Sequence, residues 1–138
     1  RTQSVPYMRA LLSVAFGYLA DQRGDAATAL QHQLDGLVTS HRLASPRHVA
    51  YSLEGTAGAL ALAEDAAAHR LGAELLGRAD HLRRGSGGPM PPAERFDVDR
   101  AEQRLRAALG DAAFDEGFAW GSDADTVELV TAALERRP

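Results

Sequence analysis

The chain reads as an all-α protein of about seven helices, two stacked antiparallel helical hairpins followed by a C-terminal helical cap. Three observations carry that expectation. Apolar residues recur at spacings of three and four, and no stretch sustains the alternation of β-branched residues that a sheet needs. Helix starts and stops are punctuated by Ser-Pro, Asp and Gly at helix-length intervals. Residues 48–62, HVAYSLEGTAGALAL, are apolar or small on nearly every side, with Glu54 as the only charge. A helix greasy all round is one surrounded by neighbours, so this stretch is expected to be the central helix.

The elements follow in order. Ser4-Val5-Pro6 opens a helix with proline in its first turn. Tyr7, Leu11, Val14 and Tyr18 run along one side of it, with Met8, Leu12, Ala15 and Leu19 beside them. Gly24 ends that helix, because glycine accepts the left-handed conformation of a C-terminal cap, and Asp25 caps the next one. The second helix presents Ala26, Ala29 or Leu30, Leu34, Leu37 and Val38. So short a turn makes the pair an antiparallel hairpin over about residues 6–41. Ser45-Pro46 starts the central helix, which is expected to run to about Ala63. Glu64-Asp65 lies forty positions after Gly24-Asp25 and opens a helix carrying Leu71, Leu75, Leu76, Ala79 and Leu82, closing a second hairpin over about 46–83.

The run RGSGGPMPP, residues 84–92, cannot stay helical and is a loop. The C-terminal helices are expected over 92–136. Pro91-Pro92 opens the first, whose inward face would be Phe96, Val98, Ala101, Leu105, Ala108 and Leu109. Gly110-Asp111 ends it and starts a short helix bearing Phe114 and Phe118, which Gly121 is expected to break. Asp125-Thr126-Val127-Glu128 has the form of a capping box, with Asp in place of Ser/Thr, before a last helix lined by Val127, Val130 and Leu134.

Composition bounds the function. A chain of 138 residues suits one domain, and 45% hydrophobic with 25% charged residues is ordinary for a globular one. The net charge of −4 argues against a phosphate-gripping nucleic-acid binder. There is no cysteine, hence no disulfide framework, thiolate nucleophile or zinc–thiolate site. No apolar run reaches the length of a membrane span and no signal-peptide pattern opens the chain, so the expected location is cytoplasmic. Lys, Asn and Ile, all encoded by AT-rich codons, do not occur, which points to a GC-rich bacterial genome. The first residue is Arg1 rather than Met, so the sequence is expected to be a piece of something longer.

No catalytic, metal or cofactor-binding set can be assembled. His32, His41, His48, His69 and His81 lack the i, i+4 spacing of a helix-borne metal pair. Glu54 is costly to bury unless an Arg pairs with it, and a structural pair or a solvent-facing position is favoured over a groove anchor reaching a bound peptide. Tyr51 is its polar neighbour on the same helix. Arg78, Arg83 and Arg84 are expected at a helix end, where cations complement the dipole. Trp120 with Phe114 and Phe118 is expected in the seam docking the last helices; exposed, it would make a partner-binding patch.

Two resemblances add to this reading. The first hairpin resembles the tetratricopeptide pattern: about Gly24-Asp25 as the inter-helix turn, Gly17 falls at the crossing glycine, Ala29 at the crossing alanine, Gly36 at a small position and Phe16 at the large apolar place. In the second hairpin Leu53 and Leu60 match apolar places and Ala57 the crossing glycine, whereas His69 stands where a small residue is expected. The forty-residue spacing exceeds the standard repeat of about 34, through a longer connection around Leu43-Ala44-Ser45.

The series Leu75-Leu76-Gly77-Arg78-Ala79, Leu82-Arg83, Pro89 to Arg95, Leu105 to Phe114 and Trp120-Gly121 is similar to the C-terminal tail of large actinobacterial transcriptional regulators of the LuxR-like and SARP kinds. Those proteins join a DNA-binding domain, a nucleotide-binding ATPase core and a tetratricopeptide-like tail. The resemblance implies a non-enzymatic interaction module whose partners are other domains of the same regulator, a second subunit or another protein. The phosphate-binding loop needs a lysine that this chain lacks, so neither ATP hydrolysis nor DNA contact is implied for these residues. The alternative is a free-standing helical sensor, binding a small molecule or peptide in an apolar pocket beside Glu54 or Tyr51.

Overall fold

The computed structural model describes residues 4–43, 45–88, 90–92 and 95–138. Ala44, Pro89, Ala93, Glu94 and the side chains of Ser4 and Tyr7, on which parts of the sequence reading fall, lie outside the described set. Among the described residues the fold is all-α, with seven helices: α1 Ser4–Gln22, α2 Ala26–Leu43, α3 Pro46–Leu60, α4 Ala66–Gly85, α5 Phe96–Leu109, α6 Asp111–Asp123 and α7 Thr126–Leu134. None is long and apolar enough to cross a membrane.

α1 and α2 pack antiparallel. Gly17 of α1 faces Gln33 of α2, and Gly36 faces Ala10, Ser13 and Val14. The turn between them is built as its residue types dictate: Gly24 has φ of 76°, and the Asp25 carboxylate accepts from the Thr28 amide at 3.2 Å. Gly24→Ala is expected to cost about 1 kcal/mol, since an L-residue is strained at that φ while its Cβ would meet open space. Chemical denaturation would show a shifted midpoint with an unchanged slope.

α3 is the central helix. Val49, Ala50 and every residue from Ser52 to Leu60 are buried, and α1, α2, α4 and α5 all pack against it. Glycines and alanines let those neighbours approach: Gly58 faces Tyr18 and Asp21 of α1 and Ala101 of α5, and Gly72 of α4 abuts the Ala57 backbone. Ser45 takes the N-cap position, but its hydroxyl bonds the His48 ring Nδ1 at 2.8 Å rather than a backbone amide. The helix stops at Leu60, three residues before Ala63, because Ala61, Leu62 and Ala63 bend into a turn that the His69 ring holds through the Ala63 carbonyl at 2.6 Å. Asp65 then caps α4 through the Ala68 amide at 3.1 Å.

α4 runs to Gly85, and the next helix begins at Phe96, not at Pro92. Pro92 forms a single tight turn with Arg95, whose amide donates to the Pro92 carbonyl at 3.2 Å. Gly110, with φ of 86°, separates α5 from α6. Arg106 spans that corner, donating to Glu102, Asp111 and Asp115 while its guanidinium lies 4.3 Å from the centre of the Phe114 ring.

α6 departs most from expectation. It continues through Gly121 to Asp123, and its main packing partner is α4 rather than the adjacent α5. The two helices run parallel, with Gly117 against Ala73 and Arg70, Gly121 against the Glu74 backbone and Gly77 against the Phe118 backbone. Gly117 and Gly121 on α6 meet Ala73 and Gly77 on α4, one small residue every four on each side. Glycine serves here to bring two backbones together rather than to end a helix. Asp125 caps α7 through the Val127 amide at 3.3 Å. Arg136 and Arg137 close the C-terminus onto Asp65 at 2.7 Å and Asp35 at 3.1 Å. One apolar core runs from α2 to α7 through Leu34, Leu53, Leu75, Leu105, Phe114 and Leu129.

Several expected inward faces are rotated. In α7, Leu129, Val130 and Ala133 are buried and Val127 is exposed. In α5, Phe96 and Ala108 face outward while Val98, Ala101 and Leu105 hold the core. In α1, of the two apolar rows only Val14 and Tyr18 are buried among the described side chains. Met8, Leu11, Leu12, Ala15, Phe16 and Leu19 are all exposed, and the buried face is Ala10, Val14, Gly17, Tyr18, Ala20 and Asp21. Small residues face α2 and α3 because the crossings there are too close for large ones.

Candidate interaction surface

The buried acids Glu54 and Asp21 lie where α1, α3, α4 and α5 meet. Glu54 sits at 4% exposure on α3, and Arg83 of α4 grips it at two points, Nε to Oε2 at 2.6 Å and Nη2 to Oε1 at 2.8 Å. Burial pushes the Glu54 carboxyl up from the ordinary carboxylate range, against the opposing hydrogen bonds and charge of Arg83. The expected arginine partner is therefore present, and it is one of the three arginines assigned to a helix end. Arg78 has a different role as well: it is buried, and its guanidinium donates to the Ala124 carbonyl, tying α4 to the α6–α7 turn.

Asp21, buried on α1, accepts from Arg104 of α5 at 2.6 Å, with Arg100 at 3.8 Å. Tyr18 and Tyr51 meet beside this pair, ring centres 6.3 Å apart, and burial raises both phenols above their usual range. Each of these two acids thus has an arginine from another helix, which fixes helix register. Gln33 is another buried polar residue that sequence reading missed, as are Ser40, Ser52 and Thr56. The Gln33 amide threads between Gly17 of α1 and Gly55 of α3 and donates to the Val14 carbonyl at 3.1 Å. The signal was present: two helical glycines lie on the elements flanking a glutamine in an apolar row.

The cavity nearest Glu54 is about 80 Å³ and is lined by Glu54, Asp80, Arg83, Arg95 and Glu102 together with apolar side chains. Ligand pockets for small molecules run from roughly 300 Å³ upward and are mostly apolar. Glu54 faces its own arginine here, and Tyr51 is half-buried against Tyr18. Among the described residues, no group of three or more His, Asp or Glu could hold a metal ion.

The larger exposed features lie on the surface. On α1, Val5, Met8, Leu12, Phe16 and Leu19 form an outward apolar stripe, each between 48% and 60% exposed, and the first four of them line an open hollow of about 590 Å³. At the other end of the molecule Trp120 is 48% exposed, outside the seam it was expected to join, which Phe114 and Phe118 occupy. Trp120 borders a shallow hollow with Asp123, Asp125 and Glu128. The fold and these surfaces define a helical protein whose buried acids are paired with arginines and which opens one large apolar face to solvent. No protein family, characterised protein or solved structure was found to match the chain.

Proposed function

We propose that the chain is a non-catalytic protein-interaction module, a tetratricopeptide-like helical stack that forms the C-terminal part of a cytoplasmic bacterial transcriptional regulator. The observation that carries the interaction reading is the outward apolar stripe of α1. Five large apolar side chains, each about half open to water or more, are costly on one helix in isolation, and contiguous exposed apolar patches of this kind mark partner sites. The paired interior supports the same reading, since Glu54 and Asp21 are engaged by arginines of the chain itself. The similarity of the series from Leu75 to Phe114 to regulator tails supplies the biological setting. In that setting the module couples a signal to a distant DNA-binding domain by holding or releasing a protein surface.

The free-standing sensor requires an enclosed apolar pocket near Glu54 or Tyr51, and the cavity there is small and charged. The mass of the native protein, probed in lysate of the source organism with an antibody against this domain, separates the two. A band several times heavier than 14.7 kDa is expected. A band near 14.7 kDa would remove the regulator reading and restore the sensor.

A further inference from the structure

We infer that the outer face of α1 is the docking site for a single amphipathic helix whose apolar seam is flanked by carboxylates, a step that rests on the interaction reading above. Three features of the face specify that partner. The first is spacing. Val5, Met8, Leu12, Ala15 and Leu19 are separated by three, four, three and four residues, and all five are exposed. That alternation is the seam of a helix meant to lie along another helix at a shallow angle, with Phe16 and Leu11 widening it on either side. A sheet edge or an extended peptide would not be matched to this period.

The second feature is charge. Arg9 lines the apolar hollow, and Arg9 and Arg42 together line an adjoining hollow of about 280 Å³ between the start of α1 and the end of α2. Both are exposed, and neither has an ion-pair partner among the described residues. This is unusual in a chain of net charge −4 whose other arginines are largely engaged, as Arg70, Arg83, Arg84, Arg104 and Arg106 are. An apolar face bordered by unpaired cations is complementary to an acidic amphipathic helix.

The third feature weighs against the simplest competitor, a second copy pairing α1 to α1. The only carboxylate on α1 is Asp21, which is buried and held by Arg104. Self-pairing of α1 would therefore cover the apolar seam without bringing any α1 carboxylate to Arg9 or Arg42.

The probe is a synthetic three-heptad peptide with Leu at the seam positions and Glu on the flanks, compared with the same peptide carrying Lys on the flanks. The acidic peptide is expected to bind the chain and the basic one to bind at least ~10-fold more weakly, with the preference shrinking in high salt. The Leu12→Ser/Phe16→Ser variant should lose ~10-fold or more in affinity for the acidic peptide while keeping the native circular dichroism, because both positions are half exposed. The Arg9→Glu/Arg42→Glu variant should reverse the preference between the peptides. Equal binding of both peptides, no binding of either, or affinity unchanged in Leu12→Ser/Phe16→Ser would overturn the inference. So would a concentration-dependent dimer, seen by sedimentation, that Leu12→Ser/Phe16→Ser abolishes. A heavy native band with no acidic-helix binding would defeat this inference and leave the regulator reading standing; a band near 14.7 kDa with selective binding would do the reverse.

Discussion

Gly121→Ala is expected to lower the melting temperature by roughly 5–10 °C, a loss of about 2 kcal/mol or more. On intrinsic grounds the opposite sign would hold, because alanine inside a helix is favoured over glycine by about 1 kcal/mol. Packing reverses it. A Cβ on Gly121 would fall inside the van der Waals envelope of the Glu74 carbonyl, and backbone cannot rotate away as a side chain can. Gly77→Ala should behave alike, since its Cβ would meet the Phe118 carbonyl from the other side of the same crossing. Either substitution forces α6 off α4 and loosens Phe114, a buried residue of the shared core. Gly85→Ala, at the end of α4 with open space around its Cβ, should be neutral and serves as the control. Thermal unfolding in which Gly121→Ala matches Gly85→Ala would show that the two backbones do not touch.

Arg83→Met is expected to cost about 3 kcal/mol at neutral pH, because it leaves the Glu54 carboxylate buried without its counter-charge. The loss should depend on pH in a definite direction. Burial already raises the Glu54 carboxyl, and removing Arg83 deletes the two largest influences that hold it down. A carboxyl with a raised native pKa binds its proton more tightly folded than unfolded. Its contribution is therefore fully present below the unfolded pKa and is lost as pH rises through the folded one. Acidifying the variant from pH 7 towards pH 5 should recover stability relative to the parent chain, by up to about 1.4 kcal/mol per pH unit. The charge-free double variant, Glu54→Leu with Arg83→Met, should be more stable than Arg83→Met alone, since it buries no lone ion. A loss that stays constant with pH, or a double variant equal to the sum of its parts, would mean that Glu54 is solvated and the pair is incidental.

The two results together bear on how the stack is held. Glycine crossings set how near the helices come, and buried ion pairs set their register along one another. Asp21 with Arg104 does for α1 and α5 what Glu54 with Arg83 does for α3 and α4. Neither kind of contact leaves an interior group poised for chemistry, which directs attention to the faces of α1 and of the α6–α7 end.

The legibility of the fold in the sequence follows the range of the forces involved. Helix starts and stops are local: Gly24, Asp25, Asp65, Gly110 and Asp125 act within a few residues of themselves, and all mark boundaries in the structure. The burial of α3 was legible too, because a helix with almost no polar side has no solvated face to offer. The boundary at Ala63 and the start at Pro92 were misplaced, since a turn held by the His69 ring and a tight backbone turn from Pro92 to Arg95 are contacts that periodicity does not weigh.

What only the tertiary structure decided was which of two plausible faces turns inward, and which glycines break and which join. α1 is apolar on two broad strips, and its large residues would bury more area than its small ones. The inward face is nevertheless Ala10, Val14, Gly17, Tyr18, Ala20 and Asp21, mostly small because α2 and α3 approach closely, with Tyr18 against Tyr51 and Asp21 reaching Arg104. Gly121 looked like Gly24 and Gly110 in sequence, yet it lies in a continuous helix against a backbone that is 47 positions away, at Glu74. Composition and local pattern determined that the chain is helical, where most of its helices begin and end, and that one of them is central. The partners of Glu54, Gln33 and Gly121, and the large apolar face left outside, were settled by steric fit and charge between elements distant in sequence, which no local signal encodes.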